Sequence, residues 1–143
     1  MTFRFENGKV EIDMCNYVKD MLKEFPLKFS NDISVSNPAA TDMFDKGHRK
    51  YLDNENRELF HRTMAKASFL CKRARPDIQP IVSVLCTRVK TPTERDFSKL
   101  VCMMKYLAST RSDTLKLNVC NSTNKLEWYI DVSFAVHPDF RSH

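Results

Sequence analysis

The chain has 143 residues, of which 42% are hydrophobic and 29% charged, and its formal net charge is +5. This length fits one ordinary domain, and the composition is typical of a globular protein rather than a disordered chain. With 2 glycines and no apolar run near the ~20 residues of a membrane span, the sequence excludes glycine-rich phosphate loops and transmembrane helices.

A β-hairpin is predicted at the N-terminus. Apolar and polar residues alternate over residues 2–6 and 9–13, on either side of Asn7-Gly8. Asn and Gly both accept the positive φ angles of a type I′ turn, so this pair is a strong hairpin signal. Because an isolated hairpin is marginally stable, we expect its Phe, Val and Ile side chains to need a cover.

A helix is predicted over residues 14–25, where apolar residues recur at steps of three and four, and Pro26 ends it. From Leu27 to about Asn54 the periodicity gives way to Ser, Asn, Asp, Pro and Gly. A connection of this length in a compact domain indicates either a wrapping loop or a missing partner surface.

Two helices that meet at a corner are predicted between Asn56 and Val89. Both segments carry an apolar stripe, and Pro76 between them lacks an amide hydrogen, so one continuous helix is excluded. We expect Asp77 to cap the second helix at its start, which places Pro80 at the third helical position.

A further helix is predicted to begin at Thr91-Pro92-Thr93-Glu94, which we interpret as a capping box with proline at the first helical position. After this helix the period changes to two: residues 115–119 and 126–136 are predicted strands, separated by a polar turn at 121–124. The expected fold class is therefore α+β, with an N-terminal hairpin, a bundle of about four helices and C-terminal strands.

The positive charge is concentrated in the middle of the chain. Residues 55–111 hold 12 Lys and Arg against 5 Asp and Glu, whereas the segments on either side are close to neutral. A basic helical region is a candidate surface for phosphate backbones. The alternative is that these cations complement helix dipoles, because many lie near predicted helix ends.

Asp131 is the residue whose setting looks most chemical. It is the only carboxylate within residues 128–136, a run rich in aromatic and branched side chains. Either it lies on the solvent face of a one-sided sheet, or it is a ligand for Mg²⁺. A two-metal site needs several convergent carboxylates, and the sequence places no other one beside it.

The sequence offers no nucleophilic site. The five cysteines show no Cys-x-x-Cys spacing and are predicted to be reduced, buried thiols of an intracellular protein, cytoplasmic or nuclear. His61 is interpreted as an ordinary helix histidine, and His137 and His143 flank a loop without a serine or cysteine elbow.

Several stretches resemble the Pol polyprotein of copia-type LTR retrotransposons. They are Leu59-Phe60-His61-Arg62, Phe69-Leu70, residues 72–78, residues 82–89, residues 104–110 and residues 129–134. The resemblance implies the end of a reverse transcriptase over residues 1–111, with a primer-grip-like hairpin and a helical thumb and connection. It also implies the start of an RNase H domain over residues 112–143.

The resemblance implies a catalytic and metal-binding role for Asp131, which matches the first of the RNase H aspartates that hold Mg²⁺. The polymerase's own Asp-Asp motif is absent from this chain, and the other RNase H carboxylates are expected beyond His143. We therefore expect a fragment that is catalytically incompetent alone and whose partners are the rest of the polyprotein and template-primer nucleic acid. By analogy with a thumb, the expected phosphate contacts come from Lys72, Arg73, Arg75, Arg88 and Lys90. A small helical interaction module that recruits partners through exposed strand edges is the alternative.

Overall fold

The computed structural model describes residues 1–29, 35–39, 43–44 and 50–118. Within these ranges the chain forms a three-stranded antiparallel sheet and four α-helices, which confirms the predicted α+β class. The elements are β1 (Thr2–Glu6), β2 (Lys9–Asp13), α1 (Cys15–Glu24), α2 (Asn54–Cys71), a 3₁₀ turn (Pro76–Ile78), α3 (Gln79–Cys86), α4 (Glu94–Ser109) and β3 (Leu115–Asn118).

The N-terminal hairpin has the predicted turn. Asn7 and Gly8 both have positive φ angles, of 49° and 71°, and the strands pair in register around them, with Glu6 opposite Lys9. This agrees with the type I′ geometry that the Asn-Gly pair favours, because that turn twists in the same sense as the strands.

The third strand of the sheet comes from the far end of the described chain. Residues of β3 pair antiparallel with β2, with Leu117 opposite Val10 and Leu115 opposite Ile12. Residues 115–118, which the resemblance assigns to the start of an RNase H domain, thus share a sheet with the hairpin. The predicted strand at 126–136 lies outside the described residues.

The corner between α2 and α3 is built differently from the prediction. Pro76 opens a 3₁₀ turn, α3 begins at Gln79, and Pro80 lies in its first turn. Asp77 makes no capping hydrogen bond, because its carboxylate instead accepts from Arg75 and Tyr106. The predicted cap at Asp77 is therefore wrong, while the predicted break at Pro76 is confirmed.

The cap of α4 lies two residues later than predicted. The Asp96 amide donates to the Thr93 hydroxyl (3.2 Å), and the Thr93 amide donates to the Asp96 carboxylate (2.9 Å), so the capping box is Thr93 with Asp96. Before it, the Leu52 amide donates to the carbonyl of Pro92 (3.0 Å), and Tyr51 bridges to Thr93. These contacts keep residues 92–93 extended, and the helix cannot begin at Thr91.

The hydrophobic core lies among the four helices. Its fully buried members include Phe60, Met64, Leu70, Ile78, Ile81, Leu85, Leu100, Met103, Met104 and Leu107. The described parts of the long connection lie against this core: the Lys99 ammonium donates to the carbonyl of Met43 (3.0 Å), and the Ser109 hydroxyl donates to that of Val35 (3.1 Å). In these parts the connection wraps around the helices.

Candidate nucleic-acid interface

The predicted phosphate-binding residues lie at two ends of the helix pair. Lys72 and Arg73 follow the end of α2, and both are exposed. Arg88 and Lys90 lie in the turn after α3, where Lys90 is exposed and Arg88 half-buried. Lys90 lines a cleft with Arg57 and Arg62 near the start of α2, whereas Lys72 and Arg73 lie at the other end of that helix.

Arg75 is not part of this surface. Its side chain is only 3% exposed, and its guanidinium donates to the Asp77 carboxylate (2.7 to 3.1 Å) and to the carbonyl and hydroxyl oxygens of Thr110 (3.0 and 2.6 Å). The prediction that Arg75 contacts phosphate is wrong, because its donors are used inside the protein. It joins the corner to the C-terminal end of α4, where a cation also complements the helix dipole.

The electrostatics of the Arg75–Asp77 pair favour the charged form of both residues. Burial lowers the pKa of Arg75, but hydrogen bonds to Asp77 and the charge of Asp77 outweigh it and raise the pKa overall. Burial raises the pKa of Asp77, but the hydrogen bonds from Arg75 and Tyr106 outweigh it and lower the pKa overall. The Tyr106 hydroxyl donates to Asp77 at 2.8 Å, and both burial and this bond raise the pKa of Tyr106.

The first half of α2 and the turn that follows α3 together form an open cleft, which we call the α2–α3 cleft. Its volume is about 390 Å³, and its described lining is Arg57, Glu58, His61, Arg62, Val89 and Lys90. Three of these side chains are permanent cations, and Glu58 is the one carboxylate among them. The cleft therefore gathers positive charge at one end of α2.

Arg57 and Arg62 were not among the residues predicted to contact phosphate, and His61 was interpreted as an ordinary helix histidine. The apolar stripe of α2 marks the opposite face, because residues such as Phe60, Met64 and Ala67 are buried. Positions on the far side of a 3.6-residue helix were therefore identifiable from the sequence. Together with Lys72 and Arg73 these residues form the α2 basic face, which extends roughly 22 Å from Arg57 to Lys72 at the helical rise per residue.

The charge of Lys66, which lies on the same helix, is partly used within the protein. Lys66 forms an ion pair with Glu24 of α1. The hydrogen bond from Lys66 is the main reason that the pKa of Glu24 is lowered. Lys66 thus ties α1 to α2 and is less available to a partner than the exposed Arg62.

Asp131 lies outside the described residues, as do His137 and His143. Its proposed part in catalysis and in Mg²⁺ binding stays a prediction. Among the residues that the structure describes, no group of three or more His, Cys, Asp or Glu side chains is placed to hold a metal ion.

Three of the described cysteines have thiols that are not activated as nucleophiles. Burial raises the pKa of Cys15, Cys71 and Cys86, which disfavours the nucleophilic thiolate. Cys71 is buried as predicted, whereas Cys86 at the end of α3 is exposed as a residue although its sulfur is partly shielded from water, so the prediction of uniformly buried thiols is wrong.

Comparison of the chain with protein-family models, curated proteins and solved structures finds no match. In the described ranges, no helix combines the length and the apolar character needed to cross a membrane.

Proposed function

We propose that this chain is a segment of a copia-type Pol polyprotein and that its α2 basic face and α2–α3 cleft bind the phosphate backbone of nucleic acid. The support for the family is the resemblance at Leu59 to Arg62, at residues 72–78 and at residues 104–110. The observation that carries the binding function is the cleft, where cations from two separate segments, α2 and the turn after α3, converge.

The convergence favours binding over a helix-capping role for these cations. Arg57 and Arg62 lie in the first half of α2, where a cation gains nothing from the helix dipole. Lys90 approaches them from another element, and like charges held close together repel unless an anion lies between them. A phosphate backbone supplies such anions at regular spacing.

The test is the salt dependence of binding to a primer-template duplex, measured by fluorescence anisotropy between about 50 and 200 mM salt. We expect affinity to fall steeply with salt, because each phosphate contact releases a counterion. The double charge reversal Arg62→Glu with Lys90→Glu should weaken binding and flatten the salt dependence.

The matched control is Lys9→Glu with Lys116→Glu, which changes the net charge equally but lies on the polar face of the sheet. We expect this control to retain most of the affinity. Equal losses in both double variants would show that only net charge matters, and salt-independent affinity would remove the proposal altogether.

We further propose that the chain alone has no polymerase or RNase H activity. With Mg²⁺, neither extension of a primed RNA template nor cleavage of an RNA–DNA hybrid should exceed the buffer control. Cleavage that is lost in Asp131→Asn would overturn this expectation.

A second candidate function, partner recruitment by the sheet, is favoured by one observation. The strand register places Phe3, Phe5, Val10, Ile12, Leu115 and Leu117 on one face. Ile12 packs against the core, but Phe5 at the far end is 76% exposed. If this face recruits a partner or a second copy, light scattering should show concentration-dependent association that Phe5→Lys abolishes; a monodisperse wild-type monomer would argue against self-association.

A further inference from the structure

Phe69 is an exposed aromatic ring in the middle of a basic surface. It lies on the outer face of α2, and 42% of the residue is exposed, whereas its neighbour Leu70 is fully buried. Lys66 lies three residues before it in α2 and is its neighbour on the helix surface, and Lys72 and Arg73 follow just past the end of that helix. Basic side chains around an exposed ring are the combination that binds single-stranded nucleic acid.

The ring of Phe69 is held by two contacts. Tyr17 of α1 packs against it, with ring centroids 5.5 Å apart and an angle of 38° between the planes. The Arg73 guanidinium lies over the ring, 3.7 Å from its centroid. The Arg73 guanidinium also donates to the carbonyl of Phe69 (3.3 Å), which further fixes its position. The stack is therefore arranged before any ligand binds.

Arg73 stays exposed although it covers part of the ring. A guanidinium is planar and only weakly hydrated, so it can stack on a second flat group as well as on Phe69. A nucleobase is such a group, and bases of single strands stack on aromatic rings and on guanidinium planes. In a duplex these base faces are already covered by neighbouring bases.

We infer that the Phe69–Arg73 pair is a stacking site for an unpaired nucleobase, with the backbone of that single strand running along the α2 basic face. This inference rests on the proposed phosphate-binding function and specifies that the stretch of strand beside this pair is unpaired, as in the template overhang of a primer-template. The phosphate contacts supply affinity without regard to bases, and the stack adds a preference for strands that carry bases.

The test compares two single strands with the same number of phosphates, oligothymidylate and an abasic strand of equal length, at one salt concentration. Stacking of one base predicts that the wild-type protein binds oligothymidylate about 5-fold to 150-fold more tightly than the abasic strand. In Phe69→Leu, which keeps an apolar side chain against Tyr17, this ratio should fall close to one while affinity for the abasic strand is unchanged. Arg73→Lys, which keeps the charge but loses the plane, should also lower the ratio.

Phe5→Ala is the control, because Phe5 is still more exposed but lies on the sheet. It should leave the ratio at its wild-type value, and circular dichroism should show that Phe69→Leu is fully folded at the temperature of the binding assay. The stacking site is overturned if the wild-type ratio is near one or if Phe69→Leu leaves the ratio unchanged. In either case, binding that still weakens with salt would support the phosphate-binding surface without the stacking site. If neither single strand binds but the primer-template does, this inference alone fails; if the primer-template does not bind either, the proposed function fails with it.

Discussion

Replacing Asp77 should destabilise the protein more than replacing its partner Arg75. Asp77→Ala leaves a guanidinium that is 3% exposed, with Thr110 oxygens as its remaining acceptors. Arg75→Met leaves a carboxylate whose side chain is 36% exposed and which keeps its hydrogen bond from Tyr106. Water can solvate that carboxylate, but it reaches the guanidinium poorly. The two substitutions therefore lower the free energy of unfolding by different amounts, although both break the same contact.

The size of the difference follows from the two environments. Breaking a buried ion pair from one side costs about 3 to 5 kcal/mol, and we expect about 3 kcal/mol for Asp77→Ala because the carboxylate side of this pair is partly solvated. For Arg75→Met we expect roughly 1 to 2 kcal/mol, since an apolar side chain of similar length fills the site and only neutral acceptors in the interior lose their donor.

The assay is urea unfolding monitored by circular dichroism at neutral pH, with the free energy of unfolding taken from linear extrapolation. Asp20→Ala is the control, because the Asp20–Lys23 ion pair is long (3.8 Å) and both side chains are mostly exposed. It should change the free energy of unfolding by less than about 0.5 kcal/mol. Equal losses for Asp77→Ala and Arg75→Met, or a smaller loss for Asp77→Ala, would refute the solvation argument.

Three further predictions concern pH, capping and the hairpin turn. Because the pKa of Asp77 is lowered in the folded state, its stabilising contribution is fully present above the unfolded-state pKa of about 3.9 and is lost as the pH falls through the folded-state pKa. The free energies of unfolding of wild type and Asp77→Asn should therefore converge as the pH is lowered. A constant difference between the two proteins down to low pH would contradict this. Thr93→Ala should lower the free energy of unfolding in urea by about 1 kcal/mol, because it removes the cap of α4, whereas Thr91→Ala should lower it by less than about 0.5 kcal/mol. A larger loss for Thr91→Ala would indicate that Thr91 is the cap. Gly8→Ala should lower the thermal midpoint, because the φ of 71° at Gly8 strains an alanine by about 1 kcal/mol; an unchanged midpoint would show that the turn relaxes.

The elements of this fold that depend on neighbouring residues could be predicted from the sequence. The Asn7-Gly8 turn, the break at Pro76 and the four amphipathic helices follow from local backbone preferences and from the period of apolar residues. The concentration of cations in the middle of the chain was also visible, because it is a property of composition.

The candidate site was predicted only in part. Lys72, Arg73, Arg88 and Lys90 were predicted by analogy with a thumb, and three of these side chains are exposed. That Lys90 lies beside Arg57 and Arg62 depends on how α3 packs against α2, and no local pattern encodes that approach.

Arg73 and Arg75 show most directly what tertiary structure decides. The two residues have the same chemistry and stand two positions apart, yet one guanidinium lies on the surface over Phe69 and the other is buried against Asp77 and Thr110. Thr110 is 35 residues further along the chain, so its acceptors reach Arg75 only after α4 has packed on the corner. The sequence by itself determined where the helices break and where the positive charge is concentrated. Only packing decided which cation points outward, because a buried charge is stable where long-range contacts supply acceptors for it.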